Sequence, residues 1–232
     1  MHRILRPDAI LFDFDGVIVN TLIPNRRHWE EFAERIGEDP KTIFTRAWGR
    51  RTRDVMDEIA AKRPFDLEVE FAHFEKVSRE DFAGMVKVPG ARQLLQALPP
   101  DRWGIVTGGD PDTTRAMLAQ LALPIPKVLI GNRDVSHGKP NPEGYLTGAE
   151  RLGVHPRAAL VIEDASAGIE AGHGAGAKVL ALLTTTRQAD LPLEHVAALA
   201  RDLSYVESSF VSGGPLNIDV QCIEIGNGLS AF

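Results

Sequence analysis

The sequence predicts an α/β chain: a doubly wound, Rossmann-like parallel sheet, with an all-helical segment inserted after its first strand. Two observations carry this. Short apolar runs alternate with stretches of helical spacing, the pattern of buried parallel strands joined by right-handed crossovers. Residues 22–87 interrupt that alternation with helical spacing and no convincing strand.

The elements follow in order. Residues 8–15 read as the first strand, with Ala9-Ile10-Leu11-Phe12 as its buried run. Within the insert, residues 25–37 place Trp29, Phe32, Ala33 and Ile36 on one helical face, and Gly37 followed by Pro40 is a stop signal. Residues 41–47, 52–63 and 66–84 also read helical, the last with Leu67, Phe71, Phe74 and Val77 as its apolar line. Phe71 and Phe74 are expected to serve as core of this segment. After the Pro89-Gly90 punctuation, Ala91–Leu98 is a helix, Trp103–Thr107 a strand, Thr113–Leu121 a helix and Val128–Ile130 a strand. Pro142–Leu152, Ser166–Ala175 and the strands Ala159–Ile162 and Lys178–Leu183 complete the alternation. Beyond residue 200 the pattern weakens: Ser208–Gly214 and Gly226–Ser230 read as loops flanking a strand at Asp219–Ile225. The expected division is a core of residues 1–21 and 88–232 and a helical segment of residues 22–87.

Composition narrows the function classes. The 232 residues are 44% hydrophobic and 25% charged, the range of an ordinary globular chain. No apolar run is long enough to span a bilayer, and Pro7 and Asp8 break the N-terminal stretch too early for a signal peptide. A net charge of -6 without a basic block argues against nucleic acid as partner. Cys222 is the only cysteine, which excludes an internal disulfide and a cysteine-rich zinc site and fits a cytoplasmic setting. A monomer is expected.

The chemistry gathers at strand ends. Asp13-Phe14-Asp15-Gly16-Val17 places two carboxylates two residues apart at the end of the first strand, where side chains at i and i+2 face the same way. One suits a nucleophile or metal ligand, the other an acid/base. Thr107 closes the second strand, Lys139 follows the third within His137-Gly138-Lys139-Pro140, and Glu163-Asp164 closes the fourth. In a doubly wound sheet these ends meet at one edge. Carboxylates so close repel unless a cation sits among them, and an all-oxygen set suits Mg²⁺ together with a substrate phosphate. The assembled picture is phosphoryl transfer to an aspartate.

These residues resemble the haloacid dehalogenase-like hydrolase superfamily. Its four ordered motifs match Asp13–Val17, Thr107, Lys139 in Gly-Lys-Pro-Asn-Pro-Glu, and Glu163-Asp164 in Glu-Asp-Ala-Ser-Ala-Gly-Ile. The likeness fades only after about residue 200. It implies Asp13 as the nucleophile, Asp15 as the acid/base, and Thr107, Gly108 and Lys139 as phosphate holders. It also implies Mg²⁺ on Asp13, Asp164 and the Asp15 carbonyl, with Glu163 behind them. The helical insert resembles the family's small helical cap, and Trp48-Gly49-Arg50-Arg51-Thr52-Arg53 resembles the branch acting on glycerol and sugar phosphates. That likeness implies Arg50 and Arg51 as substrate contacts and a small phosphate ester as substrate.

Three departures matter. Asn20 stands where relatives usually carry Asp, a position expected to be structural. Gly109 and Asp110 follow Thr107 where many relatives have Ser-Gly-Ser or Ser-Gly-Thr. Sugar-phosphate mutases of this family carry a His about twelve residues after the nucleophile, where this chain has Asn25. The expected activity is therefore a Mg²⁺-dependent phosphatase of small phosphorylated polyols or sugars, with a phosphosugar mutase as the alternative.

Overall fold

A central sheet of six parallel strands is laid down by the apolar runs. The structure, a computed structural model, describes residues 1–211 and 214–224. In spatial order the sheet reads β6 (Val128–Ile130), β5 (Trp103–Val106), β2 (Ala9–Phe12), β7 (Ala159–Glu163), β8 (Lys178–Leu182) and β9 (Ala198–Ala200). β2 sits in the middle, pairing with β5 through Ile10↔Trp103 and with β7 through Ile10↔Leu160. The order reverses direction at β2, and such a switch point opens a crevice at the carboxyl ends of the strands. Asp13 and Asp15 lie there.

Strand alternation sorts the core into two layers. Ile10, Phe12, Ile105, Leu160, Ile162, Leu180 and Leu182 face one side. Leu11, Val106, Val161, Val179, Ala181 and Leu199 face the other. α5 (Ala91–Ala97) and α6 (Pro111–Gln120) cover the first layer through Leu94, Leu95 and Leu118, and α7 (Glu143–Arg151) and α8 (Ser166–Gly174) cover the second through Tyr145, Ala149 and Ile169.

The helical segment contains α1 (Leu22–Ile36), α2 (Pro40–Ala47), α3 (Thr52–Ala60) and α4 (Leu67–Glu80). Their stops and starts are chemical. Gly37 ends α1 with φ 70° and bonds back to Ala33 and Glu34. Asp39 and Asp66 cap α2 and α4 by accepting the Thr42 and Val69 N–H groups. Trp29, Phe32, Ile43, Met56 and Phe74 join in an apolar cluster separate from the sheet's. The chain leaves and rejoins the sheet through two short strands, β3 (Val19–Asn20) and β4 (Val86–Lys87), paired antiparallel. The sequence pattern gave no strand at 86–87, because two residues carry no periodicity.

The tail differs from expectation. β1 (His2–Leu5), β11 (Leu216–Gln221) and β10 (Val206–Phe210) form a second, antiparallel sheet in that order. Ser208–Phe210 is therefore strand, and the strand expected at Asp219–Ile225 begins earlier, at Leu216. Leu5, Leu216, Ile218 and Val220 bury against the central sheet while Glu207, Ser209 and Phe210 stay exposed. Only half of each strand is apolar, and long-range pairing makes it ordered. The predicted loop Gly226–Ser230 lies outside the described residues. No helix among the described residues is long and apolar enough to cross a membrane.

Candidate active site

Five strand ends build the site. Asp13 follows β2 and is 4% exposed; its carboxylate accepts a hydrogen bond from the Lys139 ammonium. Lys139, from the loop between β6 and α7, also donates to Glu163 Oε1 at 2.6 Å and to the Val106 carbonyl at 3.3 Å. One buried cation thus bridges two buried carboxylates. Burial opposes its charge, but Asp13 and Glu163 outweigh that and hold the ammonium protonated above its ordinary range.

Glu163 is fixed from every side. Its Oε1 also accepts from the Tyr145 hydroxyl at 2.7 Å, and its Oε2 accepts from the Asp164 N–H at 2.9 Å. Gly168 lies so close that a Cβ there would fall 1.7 Å from Glu163 Oε1, so α8 can pass only as glycine. Burial also pushes the Tyr145 phenol well up, which keeps it a neutral donor.

Asp13, Glu163 and Asp164 each bring a carboxylate oxygen to within 4.8 Å of the others, a set that can hold a metal ion. Burial drives the Asp13 carboxyl up to about 8, with Lys139 opposing and Glu163 and Asp15 adding to the rise. Asp164 is pushed well up by burial and then by Glu163 and Asp13. Asp164 Oδ2 accepts from Thr185, while its Oδ1 is buried without a hydrogen-bond partner. An orphaned carboxylate oxygen beside two more carboxylates fits a hard cation. Gly16, at φ 86°, lets the chain turn directly under Asp164; a Cβ there would lie 2.1 Å from its Oδ2.

Asp15 gives no oxygen to this cluster, and its hydrogen bonds come from neutral donors. Thr21 and Asn25 donate to its Oδ1, the latter at 3.2 Å, and Thr107 donates to its Oδ2 at 3.4 Å. Burial raises its pKa against these bonds and the nearby Lys139 charge. Thr107 Oγ1 also accepts from the Gly109 N–H at 3.1 Å, which folds the Gly108-Gly109 turn over the strand end. Two cavities share Asp15, Asn25, Thr52, Gly108 and Gly109, one reaching Asp13 and Arg50, the other running along α4.

The two arginines part company. Arg50 lines the cavity beside Asp13 and pairs with Glu58 at 3.1 Å. Arg51, expected to contact substrate, lies outside both of these cavities. It donates to Asp54 at 2.9 Å and to the carbonyls of Val135 and Ser136, each at 2.9 Å. Its donors are taken by Asp54 and by carbonyls of the 132–136 loop, and it borders a separate small cavity with Thr107, Gly108 and Lys139. Arg53 is paired with Asp57 and Glu68. Asn20 is structural: its Oδ1 accepts the Leu22 N–H at 3.0 Å at the start of α1. Phe71 and Phe74 pack in the helical cluster and also line the cavity along α4.

Sequence reasoning missed Tyr145 and Thr185 as members of the network. Thr185 had a readable signal, a run of three threonines at the end of a predicted strand. Trp48 Nε1 donates to Thr185 at 3.1 Å, so the helical segment touches the residue that holds Asp164.

An acidic edge with one buried lysine, on a doubly wound sheet under a helical insert, defines a hydrolase of the haloacid dehalogenase type. The family model for haloacid dehalogenase-like hydrolases matches residues 7–176, and the chain belongs to that family. Hexitol phosphatase A of Escherichia coli (strain K12) is 34% identical over 181 residues, covering 77% of this chain and 84% of that protein. Glycerol-1-phosphate phosphohydrolase 2 of Saccharomyces cerevisiae is 33% identical over 199 residues, covering 78% and 76%. The crystal structure of a hydrolase from Pseudomonas syringae shares the fold, with TM-score 0.72 at 24% identity over 85% of this chain and 94% of that one.

Proposed function

We propose that this protein is a Mg²⁺-dependent phosphatase of small phosphorylated polyols or sugars. The observation that carries the reading is the division of labour between Asp13 and Asp15. Asp13 is ion-paired to Lys139 inside the acidic cluster, and Asp15 is held by neutral donors outside it. An ion-paired carboxylate suits a nucleophile, and a carboxyl with a raised pKa suits a proton donor.

In this reading Asp13 attacks phosphorus as the ester P–O bond breaks, and Asp15 gives its proton to the departing alcohol oxygen. Asp15 then takes a proton from water, whose oxygen attacks the aspartyl-phosphate to release phosphate and restore Asp13. Lys139, Thr107 and the Gly108 N–H hold phosphoryl oxygens. Asp13, Asp164 and the Asp15 carbonyl would hold Mg²⁺, with Glu163 fixing Lys139. Bound there, the cation offsets charge between the carboxylates and the phosphoryl group. Residues 22–87 act as a cap that shields the intermediate, and Arg50 is the cap arginine left to face the substrate. The protein works as a monomer in a reducing cytoplasm.

Support for the polyol class comes from the hexitol and glycerol phosphate phosphatases among the relatives. A mutase is disfavoured because Asn25, an amide, contacts Asp15 where mutases carry a histidine. The test is phosphate release from a panel of polyol and sugar phosphates. Release is expected to vanish with EDTA and with Asp13→Asn. Normal activity in Asp13→Asn would overturn the mechanism, and an isomerised ester in place of free phosphate would identify a mutase.

A further inference from the structure

The cavity along α4 carries an unspent set of hydrogen-bonding atoms. Ser78 Oγ, Thr113 Oγ1 and Asn132 Oδ1 are all buried without a partner, and all three residues line this cavity. They come from three places: Ser78 from the last turn of α4, Thr113 from the first turn of α6, and Asn132 from just beyond β6. Buried polar atoms are nearly always paired, so three orphans around one space point to a ligand that pairs them.

Their backbones are held in place. The Thr113 N–H donates to Asp110 Oδ1 at 2.9 Å. The Asn132 N–H donates to the Gly109 carbonyl at 2.9 Å. The side-chain oxygens of all three lie buried in the wall without a partner. Two hydroxyls that donate and accept, beside an amide oxygen that accepts, match a ligand whose groups do both, which is what alcohol hydroxyls do.

Charge excludes the main competitor, a second phosphate. The only basic side chain lining the cavity, Arg79, is bound to Glu75 at 2.9 Å and lies 3.9 Å from Asp110. With Asp15, Glu75 and Asp110 around the space, an anion would be repelled. Phe14, Phe71 and Phe74 supply apolar wall for a carbon chain. The cavity holds about 80 Å³, where one water needs roughly 10–15 Å³, so several hydroxyl-bearing carbons fit. It opens at Asp15 and Gly108, where the ester oxygen would sit.

We propose that Ser78, Thr113 and Asn132 form a hydroxyl-reading subsite for the far end of the leaving alcohol, selecting uncharged polyols or sugars longer than glycerol. This rests on the phosphatase reading above and names the substrate class of that site. The subsite spans both parts of the molecule, so it is complete only when α4 lies over Thr113 and Asn132.

The test compares kcat/KM for glycerol, pentitol and hexitol phosphates, each divided by kcat/KM for p-nitrophenyl phosphate, which has no hydroxyl to read. The unmodified protein is expected to favour the pentitol and hexitol esters over glycerol phosphate. Ser78→Ala, Thr113→Val and Asn132→Leu should each lower the long-polyol ratio by roughly 3–10-fold. Thr113→Ser, which keeps the hydroxyl, should restore it, and this pair remains informative if Asn132→Leu folds poorly. Ratios unchanged in all variants, or a glycerol phosphate preference in the unmodified protein, would overturn the subsite while leaving the phosphatase reading intact. Absence of phosphate release from every one of these esters in the unmodified protein would overturn both.

Discussion

The backbone N–H of Gly138 donates to the Asp54 carboxylate at 3.0 Å, tying α3 to the residue directly before Lys139. Asp54 also anchors Arg51, whose remaining donors hold the Val135 and Ser136 carbonyls. One ion pair therefore clamps the loop that delivers the buried ammonium. Replacing either partner frees both ends. Asp54→Ala and Arg51→Leu are expected to lower kcat/KM by about tenfold and to speed amide exchange at residues 135–138. Arg51→Lys should recover little, because an ammonium lacks the planar fork that reaches two carbonyls and a carboxylate together. Unchanged exchange in both variants would count against the clamp.

Asp13→Asn trades activity for stability. The substitution removes one carboxylate from a buried set that already includes Glu163 and Asp164. Turnover is expected to fall by at least ~10³-fold, as for other nucleophile removals. In EDTA the same variant should melt higher than the unmodified protein, because less like charge is buried without a cation. Melting curves with and without Mg²⁺ check this: the metal should raise the midpoint of the unmodified protein more than that of the variant.

The same carboxyl sets a pH dependence. Burial raises Asp13 from 3.8 to about 8 in the folded, metal-free protein. Between those values the folded state keeps a proton that the unfolded chain has released. Fewer protons on the unfolded state mean that stability falls as pH rises through this window. Asp164 shifts in the same direction. Metal-free protein is therefore expected to lose stability from about pH 5 to 8 by more than Asp13→Asn does, and Mg²⁺ should bind more tightly as pH rises. Equal slopes for the two proteins in EDTA would contradict the assignment.

Tyr145 tests the support behind Lys139. Its hydroxyl donates to the Glu163 oxygen that also takes the ammonium. Tyr145→Phe leaves Lys139 as the only side-chain donor to that oxygen. The expected cost is about 1.5–3 kcal/mol of stability in urea unfolding, the range for bonds to charged groups. kcat should fall several-fold with little change in KM, since Tyr145 acts through Glu163 and Lys139. A KM effect alone would place Tyr145 in substrate binding instead.

Much of this site was legible because it follows from strand geometry. A four-residue apolar run ends where its neighbours end, so Asp13, Thr107 and Glu163-Asp164 had to meet at one edge. Lys139 was legible through its motif, although it sits on a loop with no periodicity. The arginines were not legible. Arg50 and Arg51 are adjacent in sequence and of one chemistry, yet they part at the start of α3: its cap residue, Arg51, is directed at the 135–136 carbonyls, while Arg50 lines the cavity that reaches Asp13. Ser78 and Asn132 were silent for the same reason, since a lone polar residue announces nothing until the elements around it are placed. In the tail, the strand read at Asp219–Ile225 caught only part of β11, and β1 and β10 escaped notice because both are short and at least half polar and gain their order by pairing with β11.

Val19 faces Lys87 and Asn20 faces Val86, so the outgoing and returning passages of the chain lie side by side. Two tethers fastened at one place give the four helices a single covalent root, and their other ties to the sheet include the contacts of Trp48, Arg51 and Asp54. The arrangement also makes the insert exchangeable. A different set of helices could be grafted at that ribbon without severing any strand of the six-stranded sheet. Such a graft would leave the acids and the lysine of the sheet in place and replace only what the helices bring to the cavity wall, Ser78 and Arg50 among them.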